Sequence, residues 1–279
     1  MTPGSTRAPR SEIKPITSLQ NDRIKAIRAL EMRKERKETG LFVAEGTSLL
    51  VTARDNGFVP ETLVYRTGSA TGGIAQGLVA CALKSGVECL EVSEAVLGKL
   101  SSKDNPQSML GVFKQRWVEL PPAPRIERDA VWLALEEIRD PGNLGTIIRT
   151  ADAVGAAGIV LIGASCDPYS HDCVRATMGS VFAVPLARVQ REAFVRWLGG
   201  WQGDIVGTHL EADLDFRKVK YRAPTLLLMG SEGPGLSEPL TAACTRLVKI
   251  PMAGQLDSLN LAVATALVLY QIRSPHLTL

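Results

Sequence analysis

Short apolar strands alternate with amphipathic helices along most of this chain, and a proline-rich segment interrupts the alternation once. Ahead of that segment the pattern predicts a helix beginning at residues 21–22. Strands and helices then follow in turn at residues 41–44, 47–55, 62–65, 74–84, 88–92, 93–100 and 109–114. Behind it the strands become almost continuously apolar, as at residues 226–228, which is typical of parallel strands buried on both faces. The sequence therefore predicts an α/β protein built from two α/β domains.

The proline-rich segment, Leu-Pro-Pro-Ala-Pro-Arg at residues 120–125, is the clearest domain boundary. We predict a flexible basic arm at residues 1–14, a smaller N-terminal domain at 15–117, a stiff linker at 118–128 and a parallel-sheet domain at 129–279. For the last domain the pattern predicts strands at residues 131–135, 158–162, 181–186, 204–208, 225–229 and 246–250. Helices are predicted there at residues 143–154, 171–178, 192–198, 237–244 and 258–272.

Composition excludes several classes of protein. Apolar residues make up 45% of the chain and charged residues 22%, which excludes a disordered or collagen-like protein. Aromatic residues make up only 5%, which argues against a stacked aromatic platform for single-stranded nucleic acid. The longest apolar stretch, residues 259–270, is too short to cross a bilayer, and the first ten residues lack the apolar region of a secretory signal. Five cysteines without a Cys-x-x-Cys pair predict reduced thiols in a cytoplasmic protein.

Basic charge is concentrated near the N-terminus. Residues 1–39 hold ten Lys and Arg against five Asp and Glu, whereas residues 129–279 hold thirteen against fifteen. A basic segment beside a near-neutral body is typical of a protein that binds a polyanion. The same residues also fit a solvated helix in which Glu31, Glu35 and Glu38 pair with nearby cations, so both interpretations stay open.

Open parallel sheets bind ligands beyond the carboxyl ends of their strands, so the loops there are the first candidates for a site. The loop after the strand at 131–135 leads to Asn143, with Arg149 nearly two helical turns further on. An arginine in an otherwise apolar helix predicts a site for a phosphate or a carboxylate. The alternative is a structural ion pair with Asp140 or Asp152.

Two further loops carry glycine and amide residues. Residues 230–237, Gly-Ser-Glu-Gly-Pro-Gly-Leu-Ser, let main-chain N–H groups approach a ligand, although an ordinary strand-to-helix turn has the same composition. Residues 250–260 follow a strand and end in Ser258 and Asn260 at the predicted start of a long helix. Ser258 fits a helix N-cap as well as a functional role, whereas Asn260 in a buried helix would need hydrogen-bond partners.

Other chemistries find little support. Five neighbouring residues resemble metal ligands in composition, namely Cys166, Asp167, His171, Asp172 and Cys173, but they lack a second cysteine pair, so no metal is expected. His209 and His276 complete no catalytic triad. A nicotinamide-dependent oxidoreductase is disfavoured because no strand is followed by the G-x-G-x-x-G fingerprint.

Together, the three loops resemble the signature segments of the SpoU/TrmH family of RNA ribose 2′-O-methyltransferases, in the SPOUT superfamily. The first segment is DPGNLGTIIRTADAVGA (140–156), the second LLLMGSEGPGLS (226–237) and the third IPMAGQLDSLNLAVATALVLY (250–270). GTHLEADLDF (207–216) is similar to a cofactor-side loop of that family. SLQNDRIKAIRAL and FVAEGTSLLVTA, within residues 15–115, resemble its N-terminal substrate-binding domain. A mild departure is Thr177–Met178, where the family often has smaller residues.

The resemblance implies a SPOUT domain with a deep trefoil knot in residues 230–273, S-adenosylmethionine as cofactor and a homodimer with the site near the subunit interface. By the same resemblance, the reaction-side residues are Asn143 and Arg149, supported by Glu232, Ser258 and Asn260. The cofactor would be held around Thr208, Gly230, Ile250, Met252 and Leu259.

The activity that the resemblance implies is methylation of a ribose 2′-hydroxyl in RNA. We expect 23S ribosomal RNA as substrate, because tRNA enzymes of the family often carry only short extensions in place of a large N-terminal domain. A tRNA methyltransferase of the same chemistry and a non-catalytic RNA-binding ribosome-assembly factor are the alternatives. The expected partners are RNA and a second copy of the chain, without a membrane or a metal.

Overall fold

The computed structural model describes residues 12–101, 106–256 and 258–278. The chain folds as two compact units, one comprising residues up to Gln115 together with Tyr169–His171, the other comprising Arg116–Pro168 and Asp172–Leu279. Residues 1–11 of the predicted arm lie outside the described residues. Ile13 and Lys14, which the prediction assigned to that arm, belong to a strand instead. Among the described residues, no helix combines the length and the apolar character needed to span a membrane.

A five-stranded mixed sheet forms the first unit, with strand order β1-β4-β3-β5-β2. Strand β5 runs antiparallel to β3 and β2, and the remaining pairs are parallel. Its elements are β1 (Ile13–Ile16), α1 (Asp22–Ala29), α2 (Arg33–Thr39), β2 (Leu41–Glu45), α3 (Thr47–Asp55), β3 (Thr62–Arg66), α4 (Gly73–Lys84), β4 (Glu88–Val92), α5 (Glu94–Leu100) and β5 (Met109–Lys114).

The basic N-terminal region forms two short helices, and one of its cations is structural. Asn21 caps α1 by accepting a hydrogen bond from the Arg23 N–H group at 2.9 Å. Arg36 on α2 is only 5% exposed, and its guanidinium donates to the carbonyls of Leu30 and Glu31, each at 2.8 Å, where α1 ends. Arg36 therefore satisfies two carbonyls just after the C-terminal end of α1, and it is not part of a basic outer surface.

A seven-stranded sheet in which every pair is parallel forms the second unit, with strand order β10-β12-β9-β11-β6-β7-β8. The elements after Gln115 are β6 (Val131–Glu136), α6 (Pro141–Ala153), β7 (Gly158–Ile162), α7 (His171–Ala176), β8 (Leu186–Val189), α8 (Arg191–Leu198), β9 (Asp204–Thr208), β10 (Leu214–Asp215), β11 (Thr225–Met229), α9 (Glu238–Ala243), β12 (Arg246–Lys249) and α10 (Leu261–Arg273). Strands β6, β7 and β11 are buried along their whole length, as their apolar sequences predict.

Several elements differ from the sequence prediction: β1, α2 and β10 were not predicted, and the bounds of others are different. The predicted strand at 181–186 is wrong, because Ser180–Phe182 form a 3₁₀ turn and the strand begins only at Leu186. Pro185 has no N–H group to donate to a neighbouring strand, which explains why β8 begins after it. Helix α10 begins at Leu261, so the predicted start at Ser258 is also wrong.

The proline-rich segment packs along the second unit. The Val118 N–H donates to the Leu186 carbonyl at 2.9 Å, and the Trp197 indole N–H donates to the Pro121 carbonyl at 2.8 Å. The Arg188 guanidinium lies 4.5 Å from the centre of the Trp117 ring. These contacts make the segment part of the second unit, whereas its composition predicted a stiff spacer.

Candidate active site

Four of the parallel strands end beside one another at one edge of the seven-stranded sheet. In spatial order these are β12, β9, β11 and β6, so the chain segments that leave their carboxyl ends lie at the same edge. The three signature segments of the sequence all begin or pass through this edge. The sheet topology therefore places residues from distant parts of the sequence in one region.

Asn143 is held at this edge by the first turn of α6. Asp140 is the N-cap of that helix, and its Oδ1 atom accepts a hydrogen bond from the Asn143 main-chain N–H at 2.6 Å. Pro141 occupies the first helical position. Its missing N–H group does not weaken the helix there, because an N–H at that position has no acceptor within the helix. The helix therefore begins at Pro141 and not at Asn143, and Asp140 serves as its cap.

The side-chain amide of Asn143 connects the three signature segments. Its Nδ2 atom donates to Glu232 Oε1 at 2.9 Å, and its Oδ1 atom accepts from Asn260 Nδ2, also at 2.9 Å. Because Asn143 donates on one side and accepts on the other, its amide orientation is determined by its neighbours. Three residues predicted for the reaction side thus form one continuous chain of hydrogen bonds.

The loop that carries Glu232 folds back tightly on itself. A side chain at Gly230 would overlap the main chain of Gly235 and Leu236, and Ser231 pairs with Gly235 across the turn. Gly235 adopts a φ of 71°, which favours glycine. The shape of the loop therefore requires glycine at position 230, independently of any role of Gly230 in holding the cofactor.

Asn260 is the N-cap of α10, and Ser258 is not. The Asn260 Oδ1 atom accepts hydrogen bonds from the N–H groups of Ala262 at 2.9 Å and Val263 at 3.3 Å. Asn260 is exposed, so the predicted buried helix position is wrong, and its amide hydrogen is used by Asn143 instead. Ser258 lies in the exposed loop before the helix.

Arg149 lies on the exposed side of α6, one to two turns after Asn143. Within the described residues Arg149 forms no ion pair with Asp140 or Asp152, so the predicted structural alternative is wrong. Asp152 accepts instead from the Ser180 hydroxyl at 2.6 Å. The guanidinium of Arg149 is therefore available to an anion from outside.

The residues predicted to hold the cofactor follow the ends of β9, β11 and β12. Thr208 is half-buried, with its hydroxyl 3.6 Å from Met229 Sδ, and Gly230 is buried. Ile250 and Met252 are half-buried after β12, whereas Leu259 is 37% exposed. The region thus combines main-chain groups with apolar side chains, which is the combination that an adenine ring and a methionine chain require.

The Cys166 thiol is near this site but carries little charge. Burial, together with the negative charges of Asp140, Asp167 and Glu232, raises the pKa of Cys166 to about 11. A protonated thiol is a poor metal ligand. No group of three or more side chains suited to hold a metal occurs in the part of the chain that the structure describes. That the protein needs no metal stays a prediction.

Sequence reasoning missed Glu136 and Arg191. Glu136 ends β6 and is 3% exposed, and its carboxylate accepts a hydrogen bond from Arg191 Nε at 2.6 Å. The available signal was a glutamate closing a strand that is otherwise apolar and buried, because an ionised carboxylate is rarely buried without partners. No feature of the sequence identified its partner Arg191, which lies 55 positions away.

The chain is similar to known proteins along most of its length. Residues 130–270 match the model of the SpoU rRNA Methylase family, and residues 21–111 match an MRM3-like substrate binding domain. The AdoMet-bound rRNA methyltransferase from Sinorhizobium meliloti is a structural neighbour with a TM-score of 0.88 and 44% identity, covering 95% of this chain and 99% of that one.

Two relatives of known name are similar over most of their length. The 23S rRNA (guanosine(2553)-2'-O)-methyltransferase RlmP of Bacillus subtilis is 29% identical over 94% of this chain and 100% of its own. The 23S rRNA (uridine(2479)-2'-O)-methyltransferase of Streptomyces viridochromogenes is 32% identical over 86% of this chain and 84% of its own. With a family model that spans the whole seven-stranded sheet and relatives that span both units, the chain belongs to the SpoU rRNA methylase family.

Proposed function

We propose that this protein transfers a methyl group from S-adenosylmethionine to a ribose 2′-hydroxyl of 23S ribosomal RNA. The observation that carries the proposal is the chain of hydrogen bonds from Glu232 through Asn143 to Asn260, because it joins the three signature segments at one edge of the sheet. The names of both relatives and of the structural neighbour support the cofactor, the ribose and the ribosomal RNA. A 2′-hydroxyl exists only in RNA, so the substrate class follows from the reaction.

The residues at the strand ends suit this cofactor. Ile250, Met252 and Leu259 supply apolar contact for the adenine, and the main chain around Thr208 and Gly230 supplies hydrogen bonds. When bound, S-adenosylmethionine supplies a methyl group already activated by its sulfonium. The transfer leaves a neutral thioether and releases the hydroxyl proton to a base or to water. The protein therefore has to orient the ribose oxygen, allow its proton to leave and stabilise the charge that develops on it.

Arg149 is the residue assigned to that charge. A guanidinium is hard to deprotonate, so of the two roles open to Arg149, base or electrostatic stabiliser, we assign the second. Its planar fork can bind the phosphate next to the reacting ribose and stabilise the developing alkoxide. Asn143 and Glu232, fixed by their mutual hydrogen bond, position the nucleotide beside it, with Ser258 and Asn260 in support.

We also propose that the first unit binds RNA. Lys34 and Lys37 lie exposed on α2, and Arg23 and Arg28 lie exposed on α1. Lys34 faces Glu38 at a distance of 3.9 Å and side-chain exposures of 73% and 58%, so that pair is weak and the cation stays accessible. Phosphates of folded RNA are the natural ligands of such a surface.

A homodimer through the outer face of α10 is part of the proposal. Val263, Leu267 and Tyr270 recur at helical spacing and are 49%, 42% and 47% exposed. They line a groove of about 670 Å³ together with Phe216 and Leu277. An apolar helix face of this kind favours a self-complementary contact with a second copy.

The trefoil knot is proposed for residues 230–273. Strand β12 lies beyond β9, whereas α10 packs back against α6 and β11. The chain that leaves β12 therefore comes back past β9 before α10 begins, and this return supports the proposed knot. Pulling both ends in an optical trap tests it: the unfolded chain should stay shorter than a fully extended chain of 279 residues. Full extension would contradict the knot.

A methylation assay tests the function as a whole. The purified protein is incubated with radiolabelled S-adenosylmethionine and either 23S rRNA or total tRNA, and the labelled nucleotide is identified after digestion. We expect label in 23S rRNA, at a linkage that resists alkali because its 2′-oxygen is blocked. Label in tRNA alone would assign a tRNA substrate, and no binding of the cofactor by calorimetry would favour a non-catalytic assembly factor.

A further inference from the structure

Glu136 is a buried carboxylate with two donors, one on each oxygen. It is the last residue of β6 and is 3% exposed. Its Oε1 atom accepts from Arg191 Nε at 2.6 Å, and its Oε2 atom accepts from the main-chain N–H of Ser237 at 2.7 Å. Arg191 begins α8, and Ser237 ends the loop of residues 230–237. One side chain therefore joins three separate segments at the candidate site.

The neighbouring Glu137 completes the arrangement without touching the loop. Its Oε1 atom accepts from an Nη atom of Arg191 at 2.9 Å. Consecutive residues of a strand point to opposite faces, but Glu137 adopts a φ of 49°, which turns its carboxylate towards the same guanidinium. A left-handed conformation is unfavourable for a residue with a side chain. Gly163 leaves the space, because a Cβ there would lie 3.2 Å from the Glu137 Cγ atom.

Burying a carboxylate is unfavourable even when it is paired, and an apolar side chain at the end of β6 would cost less. The carboxylates of Glu136 and Glu137 raise the pKa of Arg191, chiefly through the hydrogen bond from Arg191 to Glu136. The guanidinium therefore stays ionised. The arrangement therefore provides a fixed, charged acceptor for one main-chain donor, the N–H of Ser237.

We propose that Glu136 is a positioning residue for the cofactor loop. Through the Ser237 N–H it holds the end of the loop, while β11 holds the beginning at Gly230. Glu232 lies between these two points and reaches Asn143. Losing the hold at Ser237 lets the loop move, which displaces the main chain at Gly230 and the carboxylate of Glu232. The inference rests on the proposed function for its link to S-adenosylmethionine.

Two isosteric variants separate positioning from simple stabilisation. Glu136 faces donors on both oxygens, so Glu136→Gln can accept only one of the two hydrogen bonds. We expect its oxygen to stay on the cationic Arg191, so that its N–H₂ group faces the Ser237 N–H. Glu137→Gln keeps an oxygen that can still accept from Arg191. Both variants remove one charge beside the same guanidinium, but only Glu136 contacts the loop.

The first measurement is amide hydrogen exchange in the protein without cofactor. Glu136→Gln should speed exchange across residues 231–237 by about tenfold, whereas Glu137→Gln should leave it close to the wild-type rate. Equal acceleration in both variants, or none in Glu136→Gln, would overturn the proposal. Because no cofactor is present, this outcome does not depend on the proposed activity.

The second measurement is the affinity for S-adenosylmethionine by calorimetry. Glu136→Gln should weaken it by about tenfold. Ser237→Pro removes the donor from the other side, and the φ of −65° at Ser237 suits a proline ring. The two changes together should weaken binding no more than either alone, because both remove the same hydrogen bond. Additive effects would contradict the role of that bond, whereas a wild-type protein that binds no cofactor would contradict the proposed function instead.

Discussion

Asn260 donates its side-chain amide hydrogen to Asn143 Oδ1 at 2.9 Å, although 117 positions separate the two residues. The same Asn260 side chain caps α10 with its oxygen. One amide therefore has two separable functions: its oxygen starts a helix, and its nitrogen orients a residue of the proposed reaction site. This division makes the site testable by conservative changes.

Asn260→Asp separates the two functions. An aspartate keeps the oxygen that caps α10, so the melting temperature should change by only a few degrees. It loses the donor to Asn143 and places a carboxylate oxygen against Oδ1, so methylation of 23S rRNA should fall by roughly 10- to 100-fold. Asn260→Ala, which removes both groups, should lower both stability and rate. Wild-type activity in Asn260→Asp would show that the hydrogen bond to Asn143 is not needed.

Arg149→Lys tests how the phosphate is bound. Lysine keeps the positive charge but lacks the planar fork, so we expect kcat to fall by about tenfold or more, while the affinity for S-adenosylmethionine stays unchanged. Single-turnover methylation and calorimetry measure the two quantities separately. A variant that methylates at the wild-type rate would mean that a point charge is sufficient and that the bidentate role is wrong.

The cations of α2 should fall into two classes. Charge reversal of the exposed Lys34 and Lys37 should weaken RNA binding and reduce the slope of log K against log salt by about one for each phosphate that is no longer neutralised. Arg36→Ala should instead lower the free energy of unfolding by about 1–3 kcal/mol, because two carbonyls at the end of α1 lose their donor. Filter binding over a salt series and urea unfolding provide the measurements. An Arg36→Ala variant with unchanged stability would contradict the structural role.

Leu267→Glu tests the proposed dimer. A glutamate in the middle of the exposed α10 face would leave a buried, unpaired charge at a contact between two copies, so the variant should be a monomer by light scattering. Because Leu267 is 42% exposed in the single chain, the fold itself should survive, as circular dichroism can verify. A wild-type protein that is already monomeric at micromolar concentration would contradict the dimer.

The five free thiols should differ in reactivity. Cys81 is exposed, whereas burial raises the pKa of Cys89 and Cys166 to about 11 and of Cys244 to about 12, and places the pKa of Cys173 well above its usual value. At pH 8 only on the order of one in a thousand thiols with a pKa of 11 is ionised, and the thiolate is the reactive form. One thiol should therefore react rapidly with Ellman's reagent, and Cys81→Ser should abolish that phase. Several fast thiols in the native protein would contradict the burial described.

Much of the local structure could be predicted from residue patterns. The boundaries of α3, β5, β7 and β11 agree with the predicted ones, because apolar periodicity and turn residues act over a few positions. Residue patterns were less informative about where an element begins, because several neighbouring residues suit its first position. Pro185 delays the start of β8, and Asn260 rather than Ser258 caps α10.

By itself, then, the sequence determined most of the strands and helices, the class of fold and, through the resemblance of its three signature segments, the family. Only the tertiary structure decided which side chains meet. Asn143 reaches Glu232 across 89 positions, Ser237 reaches Glu136 across 101, and Arg36 turns inward to the end of α1. The physical reason is that a hydrogen bond depends on positions in space, and those follow from the order of parallel strands, which no local pattern of residues specifies.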